Sequence, residues 1–511
     1  MSKKDPKDSI DTKPEGRHEA KADPENSSKK KGRLAGVAIV LLLALLAGLF
    51  LGFLSATKML PLKYLALIGL LLLAPILVVA ALVRDTEKRG LFWSGVVLAL
   101  LMAVLLAIGL GAVKQILSTL NAITSPTNER AHISLFVAEE DPAQSLEDVR
   151  GYSFGILSRL DRDNTDTAVA EINRRLETQI VLKEYNGLPE LVDALLTGET
   201  GAILLDSSYL DVLVEVAGYE EVYARLRELD VLSIESSAPV QTASDAWEND
   251  GVLTVYISGI DSRRGFVARS LSDVNILATV NTVTHQVLLV STPRDFYVPL
   301  SISNGELDKL THAGTYGVEV SMDTLGMLYD IDIDYYFKVS FEGFKQIIDS
   351  LGGVDVNSEF AFTSHLTEGY SFSQGMNHLN GDRALAFARE RKAFATGDRQ
   401  RGKNQMAVIR AVIEKLQSPE VLANYSGLLQ AAEGSFETSV PYDLIAELVR
   451  GQLNDGGSWN VVTYSANGSG DSRKTYTQGA YAYVMIPDES TVETAKELMR
   501  QVRAGQTVTE P

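Results

Sequence analysis

The chain has 511 residues, room for two or three domains with a core each, and it has no cysteine, which excludes disulfides and thiolate metal sites. Its net charge of −19 is uneven: residues 1–130 hold 17 basic and 10 acidic side chains, so the rest of the chain carries −26. So acidic a surface repels a nucleic-acid backbone and argues against a nucleic-acid partner for everything after residue 130.

In chain order, residues 1–33 are polar, mixed in charge and without periodicity, which predicts a disordered cytoplasmic tail. Three uncharged apolar runs follow at 34–54, 64–83 and 91–113, each reaching the roughly 20 residues that span a bilayer as a helix. They define a membrane segment at 34–115. The first run is too long for a signal peptide and lacks its small-residue exit, so it is expected to be retained. Pro75 sits inside the second run, where a membrane helix tolerates a kink. Lys29, Lys30, Lys31 and Arg33 precede the first run, and Arg84, Lys88 and Arg89 lie between the second and third. Two crossings separate these basic flanks, so both can be cytoplasmic, and everything after about residue 115 is then extracytoplasmic.

Residues 131–236 alternate strand-like runs (HISLFVA, YSFGIL, TQIVLKEY, GAILLD) with helical patterns at 167–177, 189–196 and 209–216. This order predicts a small α/β accessory domain with a largely parallel sheet. The run from Asp161 to Asp166 lacks the glycine and terminal glutamate of a calcium loop and reads as a loop and N-cap. Residues 237–250, rich in Ser, Ala and Asp, read as a linker.

The region 251–505 carries the candidate chemistry. VLTVYISGI at 252–260 reads as a buried strand that delivers Asp261 and Arg263 at its C-terminal end. Two further strands are expected at 275–283 and 286–292, the second stopped by Pro293 ahead of Arg294. If the three run antiparallel in turn, Asp261, Asp273 and Arg294 share one rim. The stretch LAFARERKAFATGDRQRGKNQ at 385–405 then gathers Arg389, Arg391, Arg399 and Arg401. It lies between a helix begun near Leu379-Asn380-Gly381 and a second helix with its apolar face at 406–416. Guanidinium is planar, permanently charged and bidentate toward phosphate, so with Asp398 and Gln405 these arginines can form a cradle suited to pyrophosphate, the alternative being a solvated charged face. Gly352-Gly353 reads as a helix C-cap, Tyr335-Tyr336-Phe337 as strand core, and His285 and His312 as structural. Helices at 421–431, 441–452 and 491–502 and strands at 459–464 and 481–486 complete the region, and 506–511 is a polar tail.

These pieces resemble the LytR-CpsA-Psr family of cell-wall ligases. The matching stretches, in order, are GIDSR at 259–263, SDVNIL at 272–277, TPRD at 292–295, KLTHAG at 309–314 and IDIDYYFKVSF at 331–341. LGGVDV at 351–356, LNGDRALAFARER at 379–391 and GDRQRGKNQ at 397–405 follow. The three spans and accessory domain resemble the capsule-associated, CpsA-like branch. The resemblance implies an α/β/α domain with a central mixed sheet, and a long apolar pocket for a polyprenyl chain. It implies a membrane-anchored phosphotransferase of a Gram-positive-type envelope, moving a polyprenyl-pyrophosphate-linked glycopolymer, capsular polysaccharide or teichoic acid, onto peptidoglycan. By the same resemblance Asp261 and Asp273 hold Mg²⁺. Arg294, Arg389, Arg391 and Arg401 bind the pyrophosphate, and Asp398, Arg399 and Gln405 complete the head-group site. The family usually has Arg-Ser-Asp where this chain has Leu271-Ser272-Asp273, and Arg263 or Arg269 is a candidate to compensate. Either Asp261 or Asp398 is placed to act as base. The alternative from another class is a non-enzymatic envelope sensor that binds lipid-linked wall intermediates.

Overall fold

The computed structural model describes residues 24–85, 88–124, 130–235, 250–260, 269–418, 421 and 436–510. The chain divides into two compact units, Met1–Lys114 and Gln115–Pro511. In the first lie α1 (Pro24–Ala56), α2 (Leu62–Arg84) and the start of α3 (Arg89–Thr124). Within them Lys30–Ala56, Leu62–Arg84 and Arg89–Thr119 are long and apolar enough to cross a membrane. Leu43, Ala47, Val79, Val83, Ala99 and Leu106 pack between the three helices, whereas Leu41, Leu70 and Leu105 face outward. Residues 24–33, expected as part of a disordered tail, instead belong to α1. Glu25, Lys29, Lys30 and Lys31 are good helix formers, and extending a helix already nucleated by the first span costs little.

The second unit opens with β1 (Arg130–Ala138), β2 (Ser153–Leu157), α4 (Arg162–Leu176), β3 (Val181–Tyr185), α5 (Leu188–Leu196), β4 (Ala202–Asp206), α6 (Ser208–Leu213), α7 (Val222–Arg225) and β5 (Leu226–Glu235). The five strands form one sheet in the order β3-β2-β4-β1-β5. It is mixed rather than largely parallel: β2 runs parallel to β3 and β4, but β1 is antiparallel to both β4 and β5. β5 escapes a periodicity search because Arg227, Glu228 and Asp230 interrupt its apolar pattern. Asp161 precedes α4 but makes no capping bond. Its backbone is left-handed (φ 48°) and its carboxylate turns to Arg269, 3.1 Å away.

The remaining elements build a six-stranded sheet between helices. They are β6 (Val252–Ile260), β7 (Ser272–Asn281), β8 (Gln286–Ser291), the paired short strands β9 (Tyr297–Pro299) and β10 (Leu307–Lys309), α8 (Val318–Tyr329), β11 (Tyr335–Ser340) and α9 (Phe341–Ser350). β12 (Val354–Ser358), β13 (Phe362–Thr363), β14 (Ser371–Phe372), β15 (Gly375–Leu379), α10 (Gly381–Arg389) and α11 (Asp398–Leu416) follow. β16 (Phe436–Thr438), α12 (Tyr442–Asp455), β17 (Asn460–Ser465), β18 (Gly468–Lys474), β19 (Tyr481–Pro487) and α13 (Glu489–Arg503) complete the chain. The sheet order is β16-β11-β6-β7-β8-β17. β6, β7 and β8 are antiparallel in turn, as expected, while β11 and β17 join the sheet parallel to β6 and β8.

Strand alternation explains the layers. Leu277, Leu288 and Val290 point to one face with α8 and α13, and Ile276, Val287 and Leu289 to the other with Met406 of α11. A separate apolar cluster joins α9, α10 and α11, with Ile348, Phe387 and Val408 fully buried. The Ser340 hydroxyl caps α9 by accepting from Gly343 N (3.1 Å), and the Asn380 side chain caps α10 from Arg383 N (3.1 Å). Gly352 and Gly353, both at positive φ, end α9 as expected, and Gly353 N donates to Ile348 O. The strand-core reading holds for Tyr335 and Tyr336 but not for Phe337, which is half-buried and faces a cavity. Tyr335 and Tyr336 are buried, and His312 is fully buried with Nδ1 2.6 Å from Asp308. The expected helix at 421–431 falls largely outside the described residues.

Candidate active site

Register brings the first pair of site residues together. β7 and β8 are antiparallel with Ile276 opposite Ser291, so the start of β7 and the exit of β8 meet at one edge. Thr292 N donates to Asn275 O (2.8 Å), and Thr311 N donates to Arg294 O (2.8 Å), fixing the backbone on both sides. Beneath Asp273, the buried hydroxyls of Tyr256, Ser258 and Ser272 and the Asn275 amide hydrogen-bond together at 2.7–2.9 Å. Arg294 Nη1 then reaches Asp273 Oδ1 at 2.5 Å, and its Nη2 reaches Glu215 Oε1 at 2.6 Å. Lys309 Nζ contacts Glu215 (2.8 Å) and Asp295 (3.3 Å). Burial works against charge on Arg294, but Asp273, Glu215 and Asp295 more than offset it and hold its pKa above the usual guanidinium value. Burial likewise disfavours charge on Glu215, yet Arg294 and Lys309 win and draw its pKa down to about 2.

The second group comes from the helical corner. Arg389 is the last residue of α10, with its guanidinium carbon 4.1 Å from the centroid of the Phe341 ring. Glu390 follows in extended conformation and is fully buried. It accepts from His365 N (2.6 Å) and Ala393 N (3.0 Å), pinning the loop that carries Arg391. Arg401 and Gln405 stand one turn apart on the same face of α11. Arg401 Nη2 lies 2.5 Å from Asp398 Oδ1, in the first turn of the helix, where a carboxylate also suits the dipole. Burial pushes the Asp398 carboxyl above its ordinary value despite the opposing pull of Arg401.

Both groups line one cavity of about 390 Å³. Its inner walls are apolar: Ile257 and Val274 from the sheet, Phe337 and Val339 from β11, Phe344 and Ile347 from α9, Leu385 and Ala388 from α10, Ile409 and Val412 from α11. Its polar residues are Asp273, Arg294, Arg389, Arg391, Arg401 and Gln405 together with Ser340. A smaller polar cleft shares Asp273, Arg294, Arg401 and Gln405 with it and adds Asp398 and Arg399. An apolar channel ending in guanidinium groups can hold a lipid tail and its anionic head at once.

The structure thus brings together Asp273, Arg294, Arg389, Arg391, Asp398, Arg399, Arg401 and Gln405 around the two connected spaces. Asp261 and Arg263 lie outside the described residues. Arg269 is a correction: it lines neither space, and its buried guanidinium sits 3.1 Å from Asp161 and 3.7 Å from Asp206. Two carboxylates hold it away from phosphate. Leu271, the departure noted in the sequence, packs against an apolar cluster that includes Leu188 and Tyr209 of the accessory segment. Glu215, Lys309, Asp295 and Glu390 were not legible as site residues. Lys309 at least belongs to the KLTHAG stretch, but Glu215 carries no local signal.

The sequence model of the LytR_cpsA_psr family matches residues 220–501. The chain belongs to the LytR-CpsA-Psr family. Among its relatives, the polyisoprenyl-teichoic acid–peptidoglycan teichoic acid transferase TagU of Bacillus licheniformis is 33% identical over 237 residues, 46% of this chain and 74% of that protein. TagU of Bacillus subtilis is 36% identical over 192 residues, 37% of this chain and 61% of its own length. Of solved structures, Bacillus subtilis TagV has 26% identity and a TM-score of 0.42, covering 50% of this chain and 98% of its own. Bacillus subtilis TagU has 28% identity and a TM-score of 0.39, covering 51% and 99%. The family match begins at residue 220, so most of the accessory segment lies ahead of it.

Proposed function

We propose that this LytR-CpsA-Psr protein is a membrane-anchored phosphotransferase that moves a glycopolymer from a polyprenyl-pyrophosphate carrier onto peptidoglycan. The observation that carries this reading is the cavity in which apolar walls from α9, α10 and α11 adjoin Arg294, Arg389, Arg391 and Arg401. The lipid would lie in the channel and the pyrophosphate among the arginines. Its relatives named as teichoic acid transferases support an anionic wall polymer as donor, with a capsular polysaccharide as the other polymer of the same chemistry.

In the reaction, a peptidoglycan hydroxyl oxygen attacks the phosphorus that bears the glycan. The bond from that phosphorus to the bridging oxygen breaks, polyprenyl phosphate leaves, and a phosphodiester joins glycan to wall. The work for the protein is positioning and charge neutralisation. Arg389, Arg391 and Arg401 hold the phosphate oxygens, and Arg294 stands beside Asp273 at the head-group end. Asp398, in the polar cleft beside the shared residues, takes the hydroxyl proton. Among the described residues no group of three or more His, Asp or Glu side chains could hold a metal by itself. Mg²⁺ needs only one or two carboxylates and takes its other ligands from water and phosphate. Asp273 and Asp261 would hold it, where it would neutralise charge on the transferring phosphate.

The test is release of polyprenyl phosphate from a short lipid-linked glycan, with peptidoglycan fragments as acceptor. Arg389→Lys, Arg391→Lys and Arg401→Lys should each lower turnover, because an ammonium cannot make the bidentate contact. Chelation should abolish turnover in the wild type, with Mg²⁺ restoring it. Full activity in all three variants would refute the cradle.

A further inference from the structure

Glu215 lies ahead of the family match, in the turn after α6, yet it touches the transfer site. Its two oxygens accept from Arg294 Nη2 (2.6 Å) and Lys309 Nζ (2.8 Å), and Lys309 in turn reaches Asp295. Arg294 lines both the channel and the cleft, whereas Glu215, Lys309 and Asp295 line neither. The carboxylate therefore approaches Arg294 from behind the cavity wall. With Asp273 on Nη1 and Glu215 on Nη2, both ends of the guanidinium fork are held.

Docking of the accessory segment has other contacts to rest on. Leu300, Ala313 and Tyr316 share an apolar cluster with Leu188, Leu191 and Leu210 of the accessory segment. Gln478 Nε2 donates to Val212 O (3.1 Å), just ahead of Glu215 in the chain, and Arg269 pairs with Asp161. Glu215 adds a charge-paired contact to these, and what that does for stability is separate from what it does for the reaction. What Glu215 adds is a second anchor on the arginine that lines both spaces and is joined to Asp273. Phosphoryl transfer is sensitive to misplacement of such groups by about an ångström.

We infer that Glu215 is a positioning residue for the transfer reaction, acting through Arg294, so that the accessory segment completes the site. This rests on the phosphotransferase reading above. The experiment uses the full chain in detergent and compares wild type, Glu215→Gln, Arg294→Lys, the double variant and Gln478→Ala. Gln478→Ala loosens the same docking without touching the charges. Polyprenyl phosphate release gives kcat and KM, and geranylgeranyl pyrophosphate serves as a separate binding probe. Glu215→Gln should lower kcat about tenfold or more while changing KM far less. Gln478→Ala should stay near wild type, and Glu215→Gln should cost little further in the Arg294→Lys background. Wild-type kinetics in Glu215→Gln, an equal loss in Gln478→Ala, or fully additive losses in the double variant would overturn the inference. A wild type that neither binds the probe nor releases polyprenyl phosphate refutes the phosphotransferase reading and the inference with it. Normal wild-type release beside an unaffected Glu215→Gln refutes the inference alone.

Discussion

Glu215 and Asp398 are both acids buried beside arginines, yet their protonation goes opposite ways. Glu215 sits between two cations, Arg294 and Lys309, and these overcome burial to bring its pKa from 4.5 to about 2. Asp398 has Arg401 and, more weakly, Arg294, but it also feels Asp295 and Asp273, and burial prevails. The first is a fixed anion and the second is closer to exchanging its proton, which is what a base requires. A carboxyl whose pKa falls on folding stabilises the fold above its unfolded value and loses that contribution as pH drops through the folded one. For Glu215 the window runs from about 4.5 down to about 2, and the contribution at neutral pH is about 3 kcal/mol. The stability gap between wild type and Glu215→Gln, followed by denaturant unfolding, should be widest above pH 5 and close as pH falls through that window. A gap independent of pH would mean that the glutamate acts by packing rather than by charge. For Asp398 the expected outcome is kinetic. The acid limb of kcat should titrate above the ordinary aspartate value of 3.8, and Asp398→Asn should lose the limb together with about 10²–10⁴-fold in rate.

At the scale of elements, the corner between α10 and α11 was readable because each signal was local. Asn380 caps, Gly381 opens the helix, and Arg401 and Gln405 fall at i,i+4. The antiparallel order of β6, β7 and β8 was a supposition at the level of sequence, and with it in place Asp273 pairs with Arg294. What local signals could not carry was contact across 79 to 108 residues of chain, such as Glu215 with Arg294 or the retreat of Arg269 to Asp161. Nor does periodicity reveal how closely two helices approach. α9 and α10 meet at Gly381, where an added Cβ would lie 2.8 Å from Asp349 Oδ2 and closer still to the Lys345 carbonyl oxygen. Because that obstacle is backbone, the helices must separate. Gly381→Ala should therefore cost about 1–3 kcal/mol, read as a lower melting temperature. It should also weaken binding of a prenyl pyrophosphate, since α9 and α10 supply facing walls of the channel. Unchanged binding at a lowered melting temperature would show that the channel tolerates the shift.

For the whole molecule the open matter is which side of the membrane holds the site, and the charges favour one. The donor's lipid tail must stay near the bilayer while its head meets peptidoglycan, so the transferase needs its second unit outside the cell. The basic residues agree: Lys29, Lys30, Lys31 and Arg33 flank the first span, and Arg84, Lys88 and Arg89 lie between the second and third. An even number of crossings separates the two groups, so one orientation satisfies both, and Lys58, Lys63 and Lys114 are the minority that faces out. That orientation puts the strongly acidic part of the chain outside, where cytoplasmic nucleic acid is absent. The lack of any native cysteine makes the prediction direct to check, because one introduced thiol is the only one present. In intact cells a membrane-impermeant maleimide should label Glu368→Cys, an exposed position in the second unit, and should label Ser9→Cys only after the membrane is opened. The reverse pattern would place the arginine-lined cavity in the cytoplasm, away from peptidoglycan, and would remove the acceptor from the proposed reaction.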